Sequence, residues 1–305
     1  MKTWMKRLTL ALAAVLALLL LVAAAGWWRT QQTLALRWQL PAASIPYTAA
    51  PAQIARGEHL ARTRGCTGCH GDKLAGERLI DVGPVMQIYT PNLTLGGVLP
   101  KLDAAAFEHA VRHGVGRDGQ PLLVMPARDY MLLSNEDVAA LYAYLHSVPA
   151  QPDLQPPCHI GPLGRVLHLF GALPLADAVD IDHVRASRGD AAPSPDQVEA
   201  YGGYIAQVCT GCHGATLAGG PMPGQPPGVP PPANLTADAS GLGNWSESDF
   251  LTAMRTGKRP DGSSLNDFMP WRNMGQMDDT ELHALWVYLR SLPPQASAAS
   301  PRSRP

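Results

Sequence analysis

Cys66-Thr67-Gly68-Cys69-His70-Gly71 returns 143 positions later as Cys209-Thr210-Gly211-Cys212-His213-Gly214. The match extends outward from this hexapeptide. Leu74-Ala75-Gly76 recurs as Leu217-Ala218-Gly219, and Asn92-Leu93-Thr94 as Asn234-Leu235-Thr236. Arg112 and Gly114 correspond to Arg255 and Gly257, and Asp118-Gly119 to Asp261-Gly262. After one inserted residue Met125-Pro126 matches Met269-Pro270, and Tyr144-Leu145 and Pro149 match Tyr288-Leu289 and Pro293. Two copies of this size are duplicated domains; a solenoid stacks three or more shorter units.

The chain has 305 residues, room for two domains at about 150 residues each. With 29 Gly and 29 Pro and only 16% charged residues, it is rich in loops. A hydrophobic fraction of 46% still suffices for packed cores and argues against general disorder. The 25 acids nearly balance the 24 bases, so the basic excess of a nucleic-acid binder is missing. Five cysteines are too few for a disulfide scaffold of this length.

Leu8–Trp28 carries no charge and one hydroxyl, Thr9. As a helix it would be about 31 Å long, the thickness of a bilayer core. Lys2, Lys6 and Arg7 precede it and Arg29 and Arg37 follow, a modest bias toward an internal N-terminus and an exported body. Trp27 and Trp28 stand where an interfacial aromatic belt belongs. A cleaved signal peptide with Ala23-Ala24-Ala25 at its cleavage site is the competing reading, but its apolar core is usually 7–15 residues, which favours an anchor.

Both halves read as helical. Ser134 with Asp137 three residues on resembles a capping box, followed by an apolar stripe at Val138, Leu141, Tyr142 and Leu145. Asp278 and Glu281 open the matching helix, which carries Leu282, Leu285, Trp286 and Leu289. Asp103 and Ser246 are candidate N-caps of a middle helix in each copy, and helices over Ile54–Arg64 and Val198–Val208 lead into the cysteine motifs. No alternating strand pattern stands out. Ala150–Ser194, bounded by Pro-rich stretches, is either an ordered clamp or a loose tether, with one short helix expected within Leu163–Val179.

Cys-x-x-Cys-His is the attachment pattern of covalent haem c. Two thiols three apart can each add to a vinyl group, and the adjacent His then falls under the iron. A zinc site would need further Cys or His at short spacing, and a redox dithiol would sit in a βαβ unit; neither is present in the sequence. The assignment is thus two haem c groups, attached at Cys66 and Cys69 and at Cys209 and Cys212, with His70 and His213 as proximal ligands. Met125 lies 55 residues after His70 and Met269 lies 56 after His213, each before a proline and before the last helix of its half. This recurrence singles them out as the sixth ligands. Met86, Met131, Met222, Met254, Met274 and Met277 recur in no such context and read as core filler. A thioether closes the iron to substrate and suits outer-sphere electron transfer.

These residues resemble two class I cytochrome c domains, of the membrane-anchored di-haem group related to the cytochrome subunits of periplasmic alcohol and gluconate dehydrogenases. The resemblance implies an all-α fold of two tandem cytochrome c domains after an N-terminal transmembrane helix. The expected order is an anchor or signal peptide at 1–30, a linker at 31–51, domains at 52–150 and 195–293 around an inter-domain segment at 151–194, and a flexible tail at 294–305. It implies the axial pairs His70/Met125 and His213/Met269 and an electron-carrier role. Those dehydrogenase subunits resemble three haem domains in a row, whereas this chain has two.

Other residues carry less. Arg112 and Arg255 are equivalent and read either as partners of haem propionates or as helix-end charges; Asn92 and Asn234 read as turn residues. His109 and His113 share a helix face without a counterpart in the second half, and Asp182-His183 and Cys158-His159 stand alone. Cys158 cannot start a haem site; a buried free thiol and an intermolecular disulfide are the two readings, and burial is the one expected. The function expected is a membrane-tethered periplasmic electron carrier, between a dehydrogenase or quinol-oxidising donor and a terminal oxidase or other cytochrome. The alternative, a di-haem peroxidase, needs an open distal position in one half, against which the paired Met-Pro argues.

Overall fold

The computed structural model describes residues 2–41, 45–222, 224–225 and 228–297. Helix α1 (Lys2–Leu34) is followed by α2 (Pro51–Thr63), α3 (Cys66–His70), strands β1 (Arg78–Val82) and β2 (Met86–Tyr89), then α4 (Ala104–His113), α5 (Ala127–Tyr130) and α6 (Asn135–Ser147). A connecting segment contributes β3 (His159–Ile160), α7 (Pro162–Leu169) and α8 (His183–Ala186). The second half repeats the first with α9 (Val198–Ala206), α10 (Thr210–His213), α11 (Glu247–Thr256), α12 (Trp271–Met274) and α13 (Asp279–Ser291).

Each half is built on one close helix pair, α2 with α6 and α9 with α13. A Cβ on Gly57 would meet Ala140 O at 1.9 Å, and one on Gly202 would meet Ala284 O at the same 1.9 Å. Only glycine lets the two backbones approach so closely, and the repeat keeps one at each crossing. The caps form where the polar residues placed them. Asp103 accepts from Ala106 N–H, and Ser246 with Asp249 and Asp278 with Glu281 complete reciprocal capping boxes. Ser134 accepts from Asp137 N–H, but the Asp137 carboxylate is diverted to Arg56 Nε at 2.6 Å and Tyr204 Oη at 2.6 Å.

The two cores merge. Leu60, Leu141 and Leu145 of the first half share one cluster with Ile205, Leu282 and Leu289 of the second. At the seam, α2 and α9 each reach the acid in the first turn of the other half's last helix. His59 Nε2 lies 2.6 Å from Glu281 Oε2, as Tyr204 Oη lies 2.6 Å from Asp137 Oδ2. The seam is therefore a local two-fold made by non-identical residues.

A small sheet departs from the helical reading. β1 and β2 pair antiparallel, and β2 pairs antiparallel with β3. β1 is largely exposed, so it shows no alternation, and β3 comes from about 70 residues downstream, beyond any local pattern. The connecting segment is an ordered clamp on the first half. Val124 N–H donates to Leu175 O at 2.9 Å, Arg128 N–H to Asp177 Oδ2 at 3.1 Å, and His113 stacks on His183 with Nδ1 atoms 2.8 Å apart. Asp182 caps α8, so neither Asp182 nor His183 is isolated.

Cys158 is exposed, against the expectation of burial. It runs along the edge of β2, where its Sγ lies 3.4 Å from Tyr89 N and 3.3 Å from Tyr89 O. α1 continues four residues past the expected end of the anchor, and the chain after it lies on the first half: Trp38 N–H donates to Gly119 O, and His109 Nε2 to Pro41 O. Residues 298–305 of the expected tail lie outside the described residues. Its beginning is tied down by Asn234 Nδ2, which donates to Gln295 O at 2.6 Å.

Candidate haem-binding sites

α3 and α10 are single helical turns; Cys66 and Cys69 both lie in α3, while Cys209 ends a 3-10 turn at the N-cap of α10 and Cys212 lies within it, so the i, i+3 spacing brings the thiols of each motif to one side. His70 and His213 close these turns and are buried. His70 Nδ1 donates to Pro91 O at 2.9 Å, and His213 Nδ1 to Ala233 O at 2.6 Å. This fixes the tautomer that leaves Nε2 as an unprotonated ligand atom. Burial lowers the pKa of both rings, which keeps them neutral. The accepting carbonyls are held by the repeated Asn-Leu-Thr. Asn92 Oδ1 accepts from Thr94 N–H and Oγ1, and Asn234 Oδ1 accepts from Thr236 N–H and Oγ1, all within 2.9 Å. The turn role read from the sequence for both asparagines is the one seen.

The four motif cysteines form no disulfide. Burial pushes the thiols of Cys66 and Cys209 up to about 12 and raises those of Cys69 and Cys212. These are not the acidic thiols of a redox dithiol.

In the first half a cavity brings Cys66, Cys69, His70 and Met125 together, with a mainly apolar wall that includes Phe107 and Leu141. It has the apolar lining and the convergent ligand side chains of a cofactor site. Arg64 also lines it, is 4% exposed, and has no partner for Nη1, while its Nη2 reaches Glu281 Oε1 of the other half at 3.3 Å. A buried guanidinium with one free edge fits a cofactor that carries carboxylates as well as a macrocycle. Haem thus fits the residues present. In the second half Cys209 lies in the shared core and Met269 packs half-buried against the same cluster.

Met125 follows a strained residue. Val124 is β-branched at φ 59°, a conformation kept by its bond to Leu175 O in the clamp. The loop before Met269 has no such tie; Met269 N–H donates locally to Asn266 O.

Arg112 and Arg255 serve structure. Arg112 is fully buried, with Nη1 on Glu108 Oε1 at 3.0 Å and Nη2 on Asn135 Oδ1 at 2.6 Å. Arg255 binds the carbonyls of Gly275 and Met277 and the Asp279 carboxylate. Sequence reasoning missed Arg64 and Asp129. Asp129 lies over Gly211, where a Cβ would meet its oxygens at 2.4 and 2.5 Å, and its equivalent Asn273 lies over Gly68. Each attachment turn is therefore covered by a residue of the opposite half. Burial, and then Asp177, push Asp129 up to about 7. The absence of a side chain in the x position of both Cys-Thr-Gly-Cys motifs was the available signal.

Comparison with known proteins agrees with this geometry. Residues 52–145 match the family described as cytochrome c oxidase, cbb3-type, subunit III, and residues 200–293 match the family cytochrome c. The chain is 32% identical over 279 residues to the cytochrome c subunit of a quinone-dependent alcohol dehydrogenase from Gluconacetobacter polyoxogenes, covering 80% of this chain and 56% of that protein. It is 27% identical to the fructose dehydrogenase cytochrome subunit of Gluconobacter japonicus, over 85% of this chain and 56% of that one. A diheme cytochrome c-type protein of Cereibacter sphaeroides is 27% identical over 93% of this chain and 98% of its own length. The chain thus spans just over half the length of these dehydrogenase subunits. Two tandem cytochrome c domains, each with a covalent haem c, make the chain a di-haem member of the cytochrome c family.

Proposed function

We propose that the chain is a membrane-anchored electron-transfer protein whose haem domains lie in the periplasm, passing electrons from a dehydrogenase or quinol-oxidising donor to a terminal oxidase or another cytochrome. Cys66 and Cys69, and Cys209 and Cys212, carry the thioether links; His70/Met125 and His213/Met269 are the axial pairs of domains at 52–150 and 195–293. The observation that carries this reading is the cavity in which Cys66, Cys69, His70 and Met125 converge, together with the second histidine held by the same carbonyl device. Haem c supplies a reversible one-electron iron couple. The residues orient Nε2, exclude water with an apolar wall and hold a compensating charge at Arg64. The apolar run of α1 is longer than the usual 7–15-residue core of a cleaved leader, which supports the anchor. The dehydrogenase subunits among the relatives support a dehydrogenase as donor. No relative above bears a peroxidase name, and both halves keep the same Met-Pro.

Near-infrared magnetic circular dichroism of the ferric protein, with a haem-to-protein ratio, tests the assignment. Two low-spin His/Met haems are expected, and M125A and M269A should each abolish one half of that signal. One bis-His or high-spin haem in the unmodified protein would overturn the carrier reading.

A further inference from the structure

The clamp helix α7 packs against the outer end of α1. A Cβ on Gly26 would meet Arg165 O at 2.9 Å, Thr30 and Thr33 are buried, and Thr33 Oγ1 is 3.0 Å from His168 Nε2. The contact therefore spans Gly26–Thr33, about 10 Å of helix axis at 1.5 Å per residue. It begins two residues before the end of the uncharged apolar run of α1, Trp28, and ends five after it. With α1 in a bilayer this is the headgroup layer, roughly 5–7 Å deep on each side.

α7 presents apolar residues outward at that height. Leu163 is 45% and Phe170 70% exposed, with half-buried Val166 and Leu167 completing an i, i+3, i+4, i+7 stripe. Leu163 N–H donates to Pro84 O at 3.1 Å, beside Val82, which is 54% exposed. Trp27 and Trp28 are exposed on the adjoining turn of α1, and Arg29 is free for lipid phosphates.

We infer that α7 and Phe170 form an interfacial membrane-docking surface, continuous with α1, seating the first haem domain on the outer leaflet in one orientation. The occupant is a lipid surface, because the stripe lies beside a helix that is itself bilayer-facing. Bilayer contact covers the exposed stripe as it covers other interfacial amphipathic helices. The anchor thus acts as a rigid mount, fixed to the clamp, which in turn holds the Met125 loop through Val124. The inference rests on the reading of α1 as a retained anchor.

The test uses full-length holoprotein in vesicles of phosphatidylcholine and phosphatidylglycerol containing a doxyl-lipid quencher. In a C158S background, an environment-sensitive dye is placed by L163C, F170C, L16C or S263C, each variant checked for its haem content. Dyes at 163 and 170 should be quenched at least about half as strongly as the dye at 16, and the dye at 263 should be unquenched. Dyes at 163 and 170 that behave like the one at 263, while 16 is quenched, would overturn the inference and leave the anchor intact. An unquenched dye at 16 would overturn both.

Discussion

Replacing Gly202 with alanine adds one carbon at the tightest backbone contact of the second domain. That Cβ would lie 1.9 Å from Ala284 O, 2.6 Å from Ala284 C and 2.7 Å from Tyr288 Cβ. A carbon tolerates a carbonyl oxygen at about 3.3 Å, so α9 and α13 must part by about 1.4 Å. Two of the three clashing atoms are backbone and have no rotamer to escape into. A gap of even 0.5–1 Å forfeits a quarter to a half of each dispersion contact, and this seam buries Ile205, Leu282, Leu285 and Leu289 to within 2% of full burial. Overpacking costs about 1–3 kcal/mol and occasionally more, while alanine regains about 1 kcal/mol of helix propensity. With backbone as the obstacle we place the net loss at about 2 kcal/mol. For a domain of this size that lowers Tm by about 8–16 °C. The assay is thermal unfolding of holoprotein followed by far-ultraviolet circular dichroism. G203A is the control, because the nearest atoms to its Cβ would be those of the Tyr288 ring, at 3.0 Å and beyond, with no backbone atom closer. Equal melting of G202A and G203A would refute the helix register on which both haem domains are built.

Three further outcomes follow from buried charge and exposure. R112M leaves Glu108, 1% exposed, with only the imidazoles of His109 and His113 beside it and should cost about 3 kcal/mol, read as a fall in urea midpoint that E108Q/R112M partly restores. Asp129, raised from 3.8 to about 7, is protonated in the folded state at pH values where the unfolded chain has ionised; its contribution to stability is present below pH 3.8 and lost as pH rises toward 7. D129N should therefore raise the denaturation midpoint most at pH 8, less at pH 5, and leave it unchanged near pH 3, each unit of displacement being about 1.4 kcal/mol; an equal effect at pH 8 and pH 3 would sink the assignment. Finally, native holoprotein should take up one maleimide per chain, at the exposed Cys158, and more than one would mean that the motif cysteines are not all in thioether links.

Much of this was legible before any coordinates. The caps at Asp103, Ser246 and Asp278 follow from the affinity of short polar side chains for free N–H groups, and the helices they open are the ones seen. The attachment motifs and the two Met-Pro pairs stand out in the sequence because the repeat keeps them twice, and the first motif and Met125 line one cavity. Strands β1 to β3 could not be, since β3 adds two residues across a long connection and β1 faces solvent. Cys158 was misplaced because burial statistics for a thiol say nothing of an edge that only the clamp creates.

The seam shows where comparison of the two halves must fail. A repeat reveals what both copies need separately, such as Gly57 and Gly202 at the helix crossings. Where the copies face each other, what matters is complementarity, and there equivalent positions diverge. His59 answers Glu281 while Tyr204 answers Asp137; Asp129 covers one attachment turn and Asn273 the other. A search for matching residues passes over each of these, because no member of a pair repeats its counterpart. Arg64 belongs to the same set: it borders the first cavity, binds the second half's Glu281 and has no arginine at the matching place before Cys209. Its guanidinium stands between the halves, bordering Tyr204, Ile205, Gln207 and Val208 of the second as well as Cys66 and His70 of the first, so a single unrepeated residue serves both.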